Sequence, residues 1–160
     1  MGTVETIVLA GDEGAPCFEV REVAAHAGRG LEGDRYFEHQ GKMKKLEPAR
    51  QATLIEAEAL EAAARDYDED IHPTDARRNI VTRGVALNHL VGKTFRVGDA
   101  TLRGIKLCEP CGYLQKLSGK QVKVPLKHRG GLNAEITVSG TIRAGDAIVL
   151  VEREPAGTQP

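Results

Sequence analysis

The segment Leu107-Cys108-Glu109-Pro110-Cys111-Gly112 carries two cysteines in a C-x-x-C spacing. Thiols so placed serve four kinds of chemistry. A structural zinc site takes four ligands, and only Cys17 and five scattered histidines remain here to supply two of them. A thioredoxin-type redox pair sits at a helix N-terminus in a βαβ unit, which the flanking residues do not provide. Two buried cysteines acting as small apolar side chains are the plain structural alternative. The fourth reading is one reactive thiolate that holds a soft metal or carries sulfur, and molybdenum bound through sulfur suits such a ligand.

Within the pair, Cys111 is the expected functional thiol. Pro110 fixes its own φ and drives Glu109 toward extended backbone. Gly112 then lets the chain turn, leaving Cys111 at a strand end with room around it. Cys108 continues the run Ile105-Lys106-Leu107, where alternation sets it opposite Leu107 and leaves its burial open.

Two basic clusters lie before other strands. Arg77-Arg78-Asn79 precedes IVTRG, and Lys127-His128-Arg129-Gly130-Gly131 precedes LNAEITV. An anionic ligand with a phosphate and planar polar edges would use such donors, arginine especially. Either cluster alone reads equally as a solvated turn; with the C-x-x-C they point to a site. Arg77, Asn79 and Arg129 are expected to converge near Cys111, with Arg77 and His128 favouring its thiolate. The single RGG is flanked by strands and lacks net positive charge, which argues against RNA binding.

Gly28-Arg29-Gly30-Leu31-Glu32-Gly33 spells G-x-G-x-x-G. A dinucleotide loop needs a strand before it and a helix after it. Asp34 to Gly41 shows no helical apolar repeat, so the glycines read as a tight turn using positive φ.

The elements that must position these residues are mostly strands. Stretches 4–10, 18–23, 94–97, 100–107, 134–138 and 147–151 are strand-like, each near Gly or Gly-Asp. One helical interval lies within 51–66, rich in strong helix formers from Glu56 to Arg65. Thr53 and Glu56 suit a capping box, but a strand over 51–55 feeding a helix that starts near Glu56 is preferred. That helix should pack outside the barrel through Ala59, Ala62 and Ala63 and carry no site residue. TFRVGDA at 94–100 echoes TIRAGDA at 141–147, more simply as reused Gly-Asp turns than as a duplication. Short, closely spaced strands suggest a barrel.

Length and charge bound the rest. A chain of 160 residues supports one domain, and a net charge of −1 gives no bulk electrostatic case for nucleic acid or membrane binding. No run of about 18 apolar residues is present. The N-terminus lacks the basic and apolar regions of a secretory signal, and the myristoylation-like spacing of Met1 to Thr6 reads as chance. An odd number of cysteines without a signal points to reduced thiols and a cytoplasmic protein. Residues 1–153 are expected to form the domain and 154–160 a frayed tail.

GLEGDRY, ARRNIVTRGVALNHLVGKTFRVGDATLRG, LCEPCGYL and HRGGLNAEITVSGTIRAGD occur in the order seen in the MOSC family, named for the C-terminal domain of molybdenum cofactor sulfurases. The chain resembles a small bacterial stand-alone member, over residues 4–151. The resemblance implies a mainly β barrel, closed or partly open, with a few peripheral helices. It also implies binding of the molybdenum–pyranopterin cofactor, or carriage of sulfur as a persulfide on Cys111. Carried over by motif, Cys111 is the molybdenum ligand and Arg77 and Asn79 are the family's R-x-N. Gly30, Gly33 and Asp34 form its G-x-x-G-D segment, and His128 and Arg129 join the cofactor-binding set. Relatives that reduce N-hydroxylated compounds have a His-His-Gly after that segment, where this chain has Glu38-His39-Gln40-Gly41. A cysteine desulfurase or an electron-donor protein is the implied partner.

Overall fold

The computed structural model describes residues 2–38 and 51–151. In chain order its strands are β1 (Gly2–Leu9), β2 (Phe18–Val20), β3 (Glu22–His26), β4 (Gly30–Leu31), β5 (Ala52–Glu56), β6 (Ile80–Arg83) and β7 (Thr94–Val97). They continue with β8 (Ala100–Leu107), β9 (Leu132–Val138), β10 (Gly140–Arg143) and β11 (Ala147–Leu150). The helices are α1 (Arg35–Glu38), α2 (Ala57–Tyr67), α3 (Pro73–Ala76) and α4 (Gly112–Ser118).

Seven strands close a barrel in the order β11-β7-β8-β9-β5-β6-β1, with β1 pairing back onto β11. Closure removes the exposed edges that an open sheet would leave. β2 adds to β1, and β10, β3 and β4 make a separate small sheet. The β5–β6 pair is parallel, which requires a crossover; α2 and α3 supply it.

Alternating side chains build two cores. Ile7, Leu54 and Ile80 point into the barrel with Phe95, Leu102 and Leu132. Their neighbours Val8, Ile55 and Val81 point outward, where α2 and α4 cover them with Ala59, Leu60, Ala63 and Leu114. Burial on both faces explains why β5 and β6 read as nearly continuous apolar runs.

The strand-then-helix reading of 51–66 holds, with Thr53 in β5 and α2 starting at Ala57. Glu56 precedes α2 without a side-chain cap, so no Thr53–Glu56 box forms. The stretch 18–23 divides at Arg21 because β2 and β3 pair with different partners. The two Gly-Asp echoes are not a duplication: the first closes the β7–β8 hairpin, while the second joins strands of different sheets. They meet in space, where the Gly98 N–H donates to Ala147 O at 3.1 Å and the Asp99 N–H to Thr141 O at 3.1 Å. The tail 154–160 and residues 39–41 lie outside the described residues. No helix among those described is long and apolar enough to cross a membrane.

Gly131 enters β9 at φ 121°, and a Cβ there would overlap the Leu54 carbonyl oxygen of the neighbouring strand. Gly131→Ala is expected to cost about 2 kcal/mol through strained φ and backbone displacement. Gly11 has open space around it, so Gly11→Ala should change stability by less than about 1 kcal/mol. Urea unfolding of both variants checks the contrast.

Candidate functional site

Arginine side chains and one backbone hydrogen bond gather the loops after β1 and β8 and those before β6 and β9 at one end of the barrel. Arg78, nearly buried, is the staple. Its Nε donates to Gly130 O at 2.8 Å, and its Nη2 to Cys108 O at 3.0 Å and Glu109 O at 3.4 Å. The Cys108 N–H adds a bond to Gly131 O at 2.8 Å. Glu109 pairs with His128 across the same gap. The His128 N–H donates to Oε1 at 2.9 Å, and its ring Nδ1 lies 3.0 Å from Oε2. The C-x-x-C loop is thereby held against the 127–131 loop by one guanidinium and one carboxylate.

The three thiols differ. Cys111 is exposed and immediately precedes α4, whose Gln115 N–H donates to the Cys111 carbonyl at 3.0 Å. Cys108 and Cys17 are half-buried. Burial pushes the Cys108 thiol up, against the pull of Arg78 and a hydrogen bond with Asn133. Burial pushes Cys17 up as well, against Arg77 and Arg35. A thiolate is the species that alkylates. Iodoacetamide should therefore modify Cys111 first, with Cys17 and Cys108 at least about tenfold slower, as read by peptide mass mapping over time.

A second group stands over the end of β1. Asp34 is fully buried, and its Oδ1 accepts the Ala10 N–H at 3.1 Å and Arg35 Nη1 at 3.2 Å. Its Oδ2 has no hydrogen-bond partner among the described residues. Arg77 donates from Nη1 to Ala15 O at 2.7 Å, and its own carbonyl accepts Arg35 Nη2 at 3.4 Å. The loop after β1 comes close to α4, and α3 is tied to the residues that follow α4. A Cβ on Gly14 would lie 3.3 Å from the Tyr113 hydroxyl, and Lys120 Nζ lies 3.9 Å from Asp75 of α3.

The residues singled out in the sequence are thus brought to one rim but not to one point. Arg77 faces Ala15 and Cys17, and the adjacent Arg78 reaches the C-x-x-C loop. Asn79 is fully buried in the wall. Its Oδ1 accepts the Thr53 N–H at 3.0 Å and Thr53 Oγ1 at 3.2 Å, and its Nδ2 donates to Val8 O at 3.1 Å. Arg129 Nε donates to Pro125 O at 3.2 Å. Gly28, Gly30 and Gly33 all have positive φ, as a turn requires; at Gly33 this lets the chain reverse into Asp34. Arg77 and His128 also have positive φ, at 55° and 63°; Arg77 is the left-handed C-cap of α3, as Asp68 is of α2. Sequence reading missed Arg78, Arg35 and Glu109 as organising groups. Adjacent arginines carry no mark of which one turns inward.

Among the described residues no three His, Cys, Asp or Glu side chains group together as a metal site. The fold and rim define a small mainly β-barrel protein whose end loops carry one exposed thiol beside buried charge. The chain belongs to the MOSC domain family, whose pattern matches residues 39–149. Some members of that family bind the molybdopterin cofactor. The fold is similar to the YuaD protein from Bacillus subtilis, with a TM-score of 0.75 at 18% identity over 96% of this chain and 98% of that one. YiiM from Geobacillus stearothermophilus has a TM-score of 0.69 at 15% identity, covering 96% of this chain and 76% of that one. YiiM from Escherichia coli has a TM-score of 0.65 at 20% identity, covering 95% and 71%. Among curated proteins none matches this chain.

Proposed function

We propose that this chain binds the molybdenum–pyranopterin cofactor at the barrel rim, with Cys111 as its thiolate ligand. The observation that carries the reading is that Cys111 is the exposed thiol of the three, on a loop held in place by Arg78. The residues present suit such a group. A soft metal takes a thiolate. The buried Asp34 Oδ2 is an acceptor in want of a donor, which the N–H edge of a pterin would provide. Arg77 and Arg129 offer charge to a phosphate, His128 is held at the same rim by Glu109, and Gly33 shapes the turn that presents Asp34. Asn79 serves this site by tying β1 to β5 beneath it. When bound, the cofactor supplies two-electron redox chemistry at molybdenum, and reduction of N-hydroxylated compounds is the candidate reaction. The chain's own part is to fix the thiolate, hold the anion and exclude other ligands from the rim.

Exposure of Cys111 also supports a second reading, a sulfur carrier in the cytoplasm. There the Cys111 thiolate attacks the outer sulfur of a donor protein's cysteine persulfide. The donor S–S bond breaks, the donor thiolate leaves, and a new S–S bond forms on Cys111.

Metal analysis and intact mass of protein from a molybdate-replete host separate the readings. Bound molybdenum near stoichiometry supports the first. A gain of about 32 Da, one sulfur on the thiolate, supports the second. Protein with neither modification under both aerobic and anaerobic purification overturns both.

A further inference from the structure

The net charge of −1 conceals a strong separation. From Lys106 to Arg129 the sequence holds six Lys or Arg against the single carboxylate of Glu109. From Glu56 to Asp75 it holds eight Asp or Glu against Arg65 alone. The acidic stretch runs from the end of β5 through α2 and its following loop into α3; the basic stretch runs from the end of β8 through α4 to the loop before β9, and Cys111 lies inside it.

The basic stretch also exposes large apolar side chains. Tyr113 and Leu117, four residues apart on α4, share a face. Tyr113 is 56% exposed and Val124 64%. Val124 is fastened beside α4 because Gln115 Oε1 accepts the Val122 N–H at 3.2 Å and the Lys123 N–H at 3.4 Å. The opposite side of the same unit, Leu114, Val122 and Leu126, is sunk in the outer core. Tyr113 and Leu117 therefore stand on a fixed support in the helix that follows Cys111, and Val124 stands on the Gln115 side of the same unit.

We propose that this unit docks an acidic protein partner, with Tyr113 and Leu117 on one side of α4 and Val124 on the other as apolar anchors, and Lys116, Lys123 and Lys127 as its charge. Apolar anchors ringed by charge of one sign are what a steered protein encounter uses. Lys116, Lys123 and Lys127 form no ion pair among the described residues, whereas Lys120 is drawn in toward Asp75. Charge sets the chain's own residues 39–50 against this face, since they hold four Lys or Arg and one Glu. A second copy offers its acidic stretch, but those carboxylates are largely engaged at home. Glu58 accepts the Gly84 N–H, Glu61 pairs with Arg83, Glu69 accepts the Gln121 N–H and Asp75 accepts the His72 N–H. Lysine is a weaker choice than arginine for a bidentate phosphate grip, which disfavours nucleic acid. α4, at seven residues, gives a membrane surface little apolar area to hold.

The proposal rests on Cys111 as the working thiol for its purpose, and its test does not depend on metal or sulfur. The probe is a fluorescein-labelled peptide of repeating Glu-Glu-Leu-Tyr, added to the whole chain and read by anisotropy. Binding should weaken at least about tenfold between roughly 50 and 300 mM salt. Lys116→Glu, Lys123→Glu and Lys127→Glu combined should weaken it at least about tenfold, and Leu117→Ser with Val124→Ser at least about fivefold. Bound peptide should slow alkylation of Cys111. No binding, an apolar double variant with unchanged affinity, or an unprotected Cys111 would overturn the proposal. So would preferred binding of a thymidine oligonucleotide or of phosphatidylserine vesicles, or self-association in low salt that the Lys→Glu variant abolishes. Peptide binding by protein that never loads molybdenum or sulfur would sink the functional reading alone. A molybdenum-loaded protein that ignores the peptide would sink this one alone.

Discussion

Cys111→Ser is expected to lose essentially all molybdenum or sulfur loading, at least about a hundredfold, while the protein stays folded. The thiol is exposed, so the hydroxyl replaces it without opening a cavity, and circular dichroism and thermal unfolding should match the parent. A hydroxyl is a hard, weakly acidic group and a poor substitute for a thiolate toward a soft metal. Cys108→Ser should retain most of the loading, because that thiol is half-buried, pushed up by burial and hydrogen-bonded with Asn133. Some loss of stability is expected there instead. Metal content and intact mass of both variants, each referred to the folded fraction, decide the matter. Equal loss in the two would mean that the pair works as a dithiol.

Arg78→Ala is expected to be the most destabilising single change at the rim, by about 3–5 kcal/mol. Three carbonyls, of Gly130, Cys108 and Glu109, would lose a charged donor at once. For a domain of this size that lowers Tm by roughly 6–15 °C. Arg78→Lys should recover little of it, since one ammonium cannot reproduce the planar fork that spans two strands' ends. Arg77→Ala should behave differently. It removes one bond to Ala15 O and leaves the left-handed φ as it was, since alanine keeps the Cβ, so its stability cost should stay near about 1 kcal/mol. Its larger effect should fall on retention of the anionic cofactor. Urea unfolding alongside pterin content separates the arginine that builds the rim from the arginine that serves it.

The end of β5, just before the acidic helix, offers a further contrast. Glu56 is held above the usual carboxylate range, chiefly by burial and in part by Glu58, against a hydrogen bond from the Leu87 N–H. The folded state then binds its proton more tightly than the unfolded chain. Stability from this group is present below its unfolded value and declines as pH rises through its folded one. Glu56→Gln should flatten that decline, as measured by Tm across the mildly acidic range, without changing loading at Cys111.

Much of the architecture was legible from periodicity and turn chemistry alone. The alternating strands, the Gly-Asp turns and the Ala-rich helix after a strand are local signals, and local sterics and burial set them. The exposure of Cys111 was legible too, but its setting was not: β8 stops at Leu107, Gly112 opens α4 instead of a turn, and the thiol stands at that helix's N-terminus and not at a strand end. Other features depended on which strands meet. The split of 18–23 into β2 and β3, and the meeting of two Gly-Asp turns from distant parts of the chain, follow from barrel closure. Asn79 lies inside the wall because β1 and β5 flank it, a pairing no local pattern encodes. Arg77 and Arg78 are chemically identical in the sequence; the left-handed turn at Arg77 sends one outward to Ala15 and the other inward to Cys108. The charge separation is present in the sequence, but a net charge averages it away. Residue types and spacing determined the strands, the turns and the exposure of Cys111. Long-range strand pairing decided which arginine pins the thiol's loop and which faces of the barrel stand beside it, because those contacts join residues whose separation along the chain carries no information about their distance in space.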